Sequence, residues 1–112
     1  MKKTKLGEFE ELVLLTVIVL KEDAYGVEIR RELGKRLKET ISVGSVQSAL
    51  KRLEEKGFLN SEFGEATQKR GGKRKRIYNV TTHGITVLEE LKDIRSQYWQ
   101  EVSSVLSTFT SL

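Results

Sequence analysis

From Phe9 to Leu20 the chain is apolar at almost every position, and only Glu10, Glu11 and Thr16 interrupt it. Phe9, Val13, Val17 and Leu20 fall on one helical face, and Leu12, Leu14, Leu15, Ile18 and Val19 carry the apolar surface most of the way round. This pattern predicts a first helix from Gly7 to Lys21, covered on two faces. In the next stretch Tyr25, Ile29, Leu33 and Leu37 recur at four-residue steps, with Glu28, Arg30, Arg31, Lys35 and Arg36 elsewhere on the wheel. A second helix is expected from Ala24 to Lys38, capped by Asp23. A third opens at Ser42 or Gly44, buries Val46, Ala49, Leu50 and Leu53, and runs to Lys56, where Gly57 stops it.

The period then shortens. Phe58 to Phe63 and Lys75 to Val80 read as two strands, with Tyr78 and Val80 on one face of the second and Ile77 on the other. The loop between them contains Gly64, Gly71 and Gly72. Thr81 or Thr82 then caps a final helix, along which Leu88, Leu91, Arg95, Tyr98, Val102, Val105 and Phe109 step by threes and fours. Ile85, Val87, Ile94, Trp99 and Leu106 widen that stripe. The periodicity persists well beyond the usual three turns of a globular helix. Leu88, Leu91, Arg95, Tyr98, Val102 and Val105 are therefore the expected dimer interface.

The order helix, helix, helix, strand, loop, strand, helix is that of a winged helix-turn-helix. The fold expected is mainly α with a small β-hairpin. A winged helix-turn-helix domain over residues 1–80 is joined to a long C-terminal dimerisation helix over 81–112, in one compact unit.

Composition narrows the chemistry. The 112 residues contain no Cys, so neither disulfides nor thiolate metal sites exist, which is compatible with a reducing cytoplasm, the compartment expected. Met1-Lys2-Lys3-Thr4-Lys5 resembles the start of a signal peptide, but Glu8, Glu10 and Glu11 follow where an apolar segment should begin. The run Leu12 to Leu20 is about half the length a bilayer requires, so no membrane partner is expected. His83 is the only histidine and has no ligand partners nearby in sequence. Gly71-Gly72-Lys73 is not a phosphate-binding loop, since Arg74 stands where Ser or Thr is required. No carboxylate pair or nucleophile with a base is evident, so neither enzyme activity nor a cofactor or metal is expected.

Charge is where the chain departs from an ordinary surface. The net charge is +4, yet Lys69, Arg70, Lys73, Arg74, Lys75 and Arg76 crowd into eight residues, from the loop into the start of the second strand, with no carboxylate among them. The rest of the chain is slightly acidic, so the positive charge is a local patch. A solvated charged loop would also read this way. Placed on a hairpin beside a helix-turn-helix pattern, six cations suit a phosphate backbone or a minor groove. The third helix complements them. Gly44, Ser45, Gln47 and Ser48 keep the exposed side of its first half free of bulk, and Gln47 can both donate and accept at base edges. Lys51 and Arg52 follow within a turn and can reach phosphate or guanine, whereas Glu54 and Glu55 at the far end would repel phosphate. The expected partner is double-stranded DNA, with the first half of the third helix in the major groove. An interaction module docking an acidic protein, or an RNA-binding winged helix, is the alternative.

The chain resembles the PadR family of transcriptional regulators. The segments LGEFEELVLL (Leu6–Leu15), AYGVEIRREL (Ala24–Leu33), ISVGSVQSALKRLEEKGFL (Ile41–Leu59) and GEATQKRGGKRKRIYNVTTHG (Gly64–Gly84) carry the resemblance in family order and spacing. It implies a homodimeric winged-helix repressor whose members often lose DNA affinity on binding small aromatic molecules. The single C-terminal helix is similar to the small, LmrR-like subtype, which implies a cavity between subunits with a tryptophan on that helix. Trp99 beside Tyr98 reads either as dimer packing or, on that resemblance, as a flat wall for a small hydrophobic or aromatic effector. Two departures stand out: family members commonly carry Tyr-Pro where this chain has Gln47-Ser48, and a Pro near Thr82.

Overall fold

The computed structural model of the chain describes residues 6–64 and 75–110. Helix α1 spans Glu8–Leu20, α2 Gly26–Leu37 and α3 Val43–Glu55. Strands β1 (Leu59–Phe63) and β2 (Arg76–Val80) form an antiparallel pair, and α4 runs over Thr82–Thr110. This is the expected order, with ends shifted by one or two residues.

Helix α1 lies at the centre. Val13, Leu14 and Val17 are fully buried against Ile29 and Leu33 of α2 and Val46, Leu50 and Leu53 of α3, with Phe58 and Tyr78 closing the core from the hairpin side. Only one side of α1 is covered within the subunit. Leu15, Ile18 and Val19 stay substantially exposed, so the second cover predicted from its all-round apolar surface is not supplied by the rest of this chain's described residues.

Each helix end has a local cause. Ser42 caps α3, its Oγ accepting from the Ser45 amide at 3.0 Å. Gly57 follows α3 with φ +81°, a left-handed conformation that suits glycine, and the Phe58 amide returns to the Leu53 carbonyl at 3.0 Å. Asp23 is not the cap of α2. It ends a short 3-10 turn, Lys21–Asp23, and Tyr25 stands at the cap position, its side chain making no capping hydrogen bond. The reason is tertiary: Ala24 accepts from the Tyr78 amide at 3.0 Å and Tyr25 bridges Ile77, so the chain first runs beside β2 and only then turns helical.

The hairpin register pairs Leu59 with Val80, Ser61 with Tyr78 and Phe63 with Arg76. Thr81 then pins the start of α4. Its amide donates to the Phe58 carbonyl at 2.9 Å, its hydroxyl donates to the Gly57 carbonyl at 2.7 Å, and that same oxygen accepts from the Gly84 amide at 3.0 Å. Beyond Leu91, α4 leaves the core: from Lys92 to Phe109 only Val102 is even half-buried. The molecule measures 63 × 32 × 22 Å with a radius of gyration of 17.4 Å, against about 13 Å for a compact chain of this length.

Candidate nucleic-acid interface

The buried stripe of α3, Val46, Ala49, Leu50 and Leu53, fixes which residues face outward. Gly44, Ser48, Lys51 and Glu55 lie opposite it, at the middle of the exposed face. Ser45 and Arg52 occupy one flank and Gln47 the other. All five expected recognition residues, Ser45, Gln47, Ser48, Lys51 and Arg52, are exposed. They are not equally disposable. The Ser45 hydroxyl is 2.6 Å from that of Ser42 and so shares in the cap. Gln47 lies close to Gly26 at the start of α2. Lys51 makes no ion pair among the described residues, whereas Arg52 Nε donates to Glu10 Oε2 on α1 at 2.8 Å.

Of the six hairpin cations, Lys69, Arg70, Lys73 and Arg74 lie outside the described residues. The other two sit at the start of β2, Lys75 just before it and Arg76 as its first residue, where the Gly64 amide donates to the Lys75 carbonyl at 2.7 Å. The Lys75 ammonium stands 4.6 Å from the centre of the Tyr25 ring. The Arg76 guanidinium lies 4.6 Å from the centre of the Phe63 ring and donates from Nη1 to Ser61 Oγ at 2.9 Å. Tyr25 and Gly26 are consecutive. The base of the hairpin and the first half of α3 therefore meet at one place, the start of α2.

Sequence reasoning missed Glu10. It is only 5% exposed, and its carboxylate accepts from Arg52 Nε, from Lys56 Nζ at 2.7 Å and from the Gly7 amide at 3.0 Å. Burial alone would push its pKa up. The Lys56 ammonium, the Gly7 amide and the Arg52 guanidinium together outweigh that and hold it at about 2. A signal was present: Glu10, Val13, Leu14 and Val17 stand at the i, i+3, i+4, i+7 spacing of one buried face.

Residues 14–90 match the model of the PadR-like transcriptional regulator family. The chain belongs to that family. A PadR-like protein is a DNA-binding transcription regulator rather than an enzyme, which agrees with the polar face of α3 and the local positive patch. Among solved structures, the chain is similar to a PadR family transcriptional regulator from Eggerthella lenta, with 28% identity over 88% of this chain and 86% of that one and a TM-score of 0.65. It is also similar to a PadR family transcription regulator from Clostridium difficile, with 30% identity over 90% and 97% of the two chains and a TM-score of 0.58. A PadR-like transcriptional regulator from Bacillus cereus shares the fold, with 24% identity, coverage of 88% and 90%, and a TM-score of 0.70.

In this PadR-like regulator α4 adds a second feature. A groove of about 470 Å³ runs between α1 and α4, floored by Leu15, Ile18, Ile85 and Leu88 and walled by Trp99. Arg95 crosses its rim, donating from Nη2 to Glu11 Oε1 at 2.7 Å. Of the expected dimer residues, Leu88 is buried within its own subunit because the first turns of α4 close the core. Arg95 is already engaged by Glu11. Leu91 and Val102 are half-buried, and Tyr98 and Val105 project outward, Tyr98 being 68% exposed. Trp99 is 62% exposed. No helix among the described residues is long and apolar enough to cross a membrane.

Proposed function

We propose that the protein is a homodimeric cytoplasmic repressor that binds a near-palindromic operator and is released by a small aromatic effector. In each subunit Ser45, Gln47, Ser48, Lys51 and Arg52 of α3 address the major groove. Lys69, Arg70, Lys73, Arg74, Lys75 and Arg76 track the adjacent phosphates. The supporting observation is the convergence at the start of α2, where Lys75 reaches Tyr25 and Gln47 reaches Gly26. A reading helix and a cationic hairpin that meet there can engage one duplex together. The division of labour follows from charge: the hairpin supplies sequence-independent attraction, and the small polar side chains of α3 supply choice. The domain is residues 1–80, and residues 81–112 join the subunits. The groove beside Trp99, apolar below and charged at its rim, is the place for a flat aromatic effector.

Selection of bound duplexes from random DNA tests this. A symmetric enriched motif is the expected result. No enriched duplex with tight binding to single-stranded or stem-loop RNA would favour the RNA-binding alternative, and no enrichment with tight binding to an acidic protein would favour the interaction module.

A further inference from the structure

Glu10 stands on α1, off the exposed face of α3, yet it holds Arg52 in the last turn of that helix and Lys56 just beyond it. Arg52 is bound through Nε, the atom nearest the stem of its fork. Half of the Arg52 side chain remains exposed, and among the described residues no acceptor engages its two Nη groups. One edge of the guanidinium is thus fixed and the other is open. Lys56 and the Gly7 amide occupy the remaining carboxylate oxygen, and the Glu10 side chain is only 7% exposed. The carboxylate therefore cannot itself reach a ligand of α3, and its charge is turned inward.

An arginine that docks on a phosphate or guanine loses its rotamer freedom at that moment. One already held at Nε loses less, and its planar fork arrives aimed. Simple electrostatics points the other way: a carboxylate beside a DNA-facing cation should weaken attraction to a polyanion. The two effects make opposite predictions for removal of the charge.

We infer that Glu10 is a positioning residue for DNA binding, orienting Arg52 so that its Nη edge meets the duplex while Glu10 touches no DNA. The inference rests on the reading of α3 proposed above and deepens it, since Arg52 becomes a contact set before the DNA arrives.

The test uses the duplex enriched by the wild-type protein. Anisotropy titrations at several salt concentrations compare wild type, Glu10→Gln, Arg52→Gln and the double variant. Glu10→Gln is expected to weaken binding about three- to tenfold, to leave the salt slope unchanged and to add nothing once Arg52 is gone. Binding as tight as wild type, or an equal loss in both backgrounds, overturns the inference. A second measurement needs no variant: in the DNA-free wild type, the Arg52 Nε–H resonance should be resolved and slow to exchange with solvent. If it instead averages with those of free surface arginines, Arg52 is not pre-set and the inference fails. A wild type that enriches no duplex overturns the DNA reading itself, whereas one that binds its duplex but is indifferent to Glu10→Gln overturns only the role of Glu10.

Discussion

Glu10 is buried where an unpaired carboxylate would be expelled or protonated, and three donors keep it ionised. Its folded pKa of about 2 lies below the ordinary value of 4.5. The charged form is therefore worth more in the folded state than in the unfolded chain. That contribution is fully present above about pH 4.5, shrinks as the unfolded chain begins to take up the proton, and is gone once pH falls through 2. A difference of this size corresponds to roughly 3 kcal/mol. Unfolding free energies of wild type and Glu10→Gln, from urea titrations, should thus differ by about that much at pH 7 and converge by pH 2. A gap that stays constant with pH would mean that packing rather than charge sets the contribution.

At the scale of elements, the joint between β1 and α4 is the least forgiving. A Cβ on Gly84 would stand 2.5 Å from the Phe58 carbonyl oxygen and 2.8 Å from Val80 Cγ1. The Phe58 carbonyl also accepts from the Thr81 amide, so it cannot swing away cheaply. Gly84→Ala is expected to cost about 1–3 kcal/mol, read as a lower melting temperature, despite the better helix propensity of alanine. The two elements proposed to face DNA should separate by assay. Lys73→Ala with Arg74→Ala should weaken every duplex alike and flatten the salt slope by roughly one to two units. Gln47→Ala or Ser48→Ala should reorder sequence preference and leave the slope alone. These elements were legible in the sequence because each buries one face against a single core, and periodicity reports that directly. Val46, Ala49, Leu50 and Leu53 announce α3, and the Gly57 stop needs no distant partner. What escaped depends on distant partners. Asp23 fails as a cap because Ala24 and Tyr25 pair with a strand more than fifty residues later in sequence. The two cations that hold Glu10 are also remote in sequence, Arg52 in the last turn of α3 and Lys56 just after it. Leu88 fits the stripe of the final helix, yet spacing alone cannot say whether that stretch faces its own core or a second subunit.

At the scale of the molecule, α4 decides the assembly. Its 29 residues extend about 43 Å, and most of that length has no cover from the same subunit. Ile94, Tyr98, Val105, Leu106 and Phe109 are all at least half-exposed, Phe109 to 66%. A monomer rarely leaves so long an apolar stripe in water. The open side of α1, with Leu15, Ile18 and Val19, needs cover as well. In the proposed homodimer a second copy would supply both by two-fold symmetry, each subunit offering the helix that the other lacks. The same axis would relate the two α3 helices, which predicts operator half-sites about 34 Å apart or a multiple of it. Val105→Asp with Phe109→Asp places two charges on the outer stripe without touching the core of the winged domain. Sedimentation should then fall from twice the chain mass to 12.8 kDa, with the helical signal of α1 to α3 retained. Operator affinity should drop by a hundredfold or more, on the order expected when two linked half-site contacts become independent. The loss should be confined to duplexes carrying both half-sites, because a single half-site never used the second subunit. A variant that stays dimeric would place the interface elsewhere, and one that turns monomeric yet keeps full operator affinity would show that one subunit reads DNA alone.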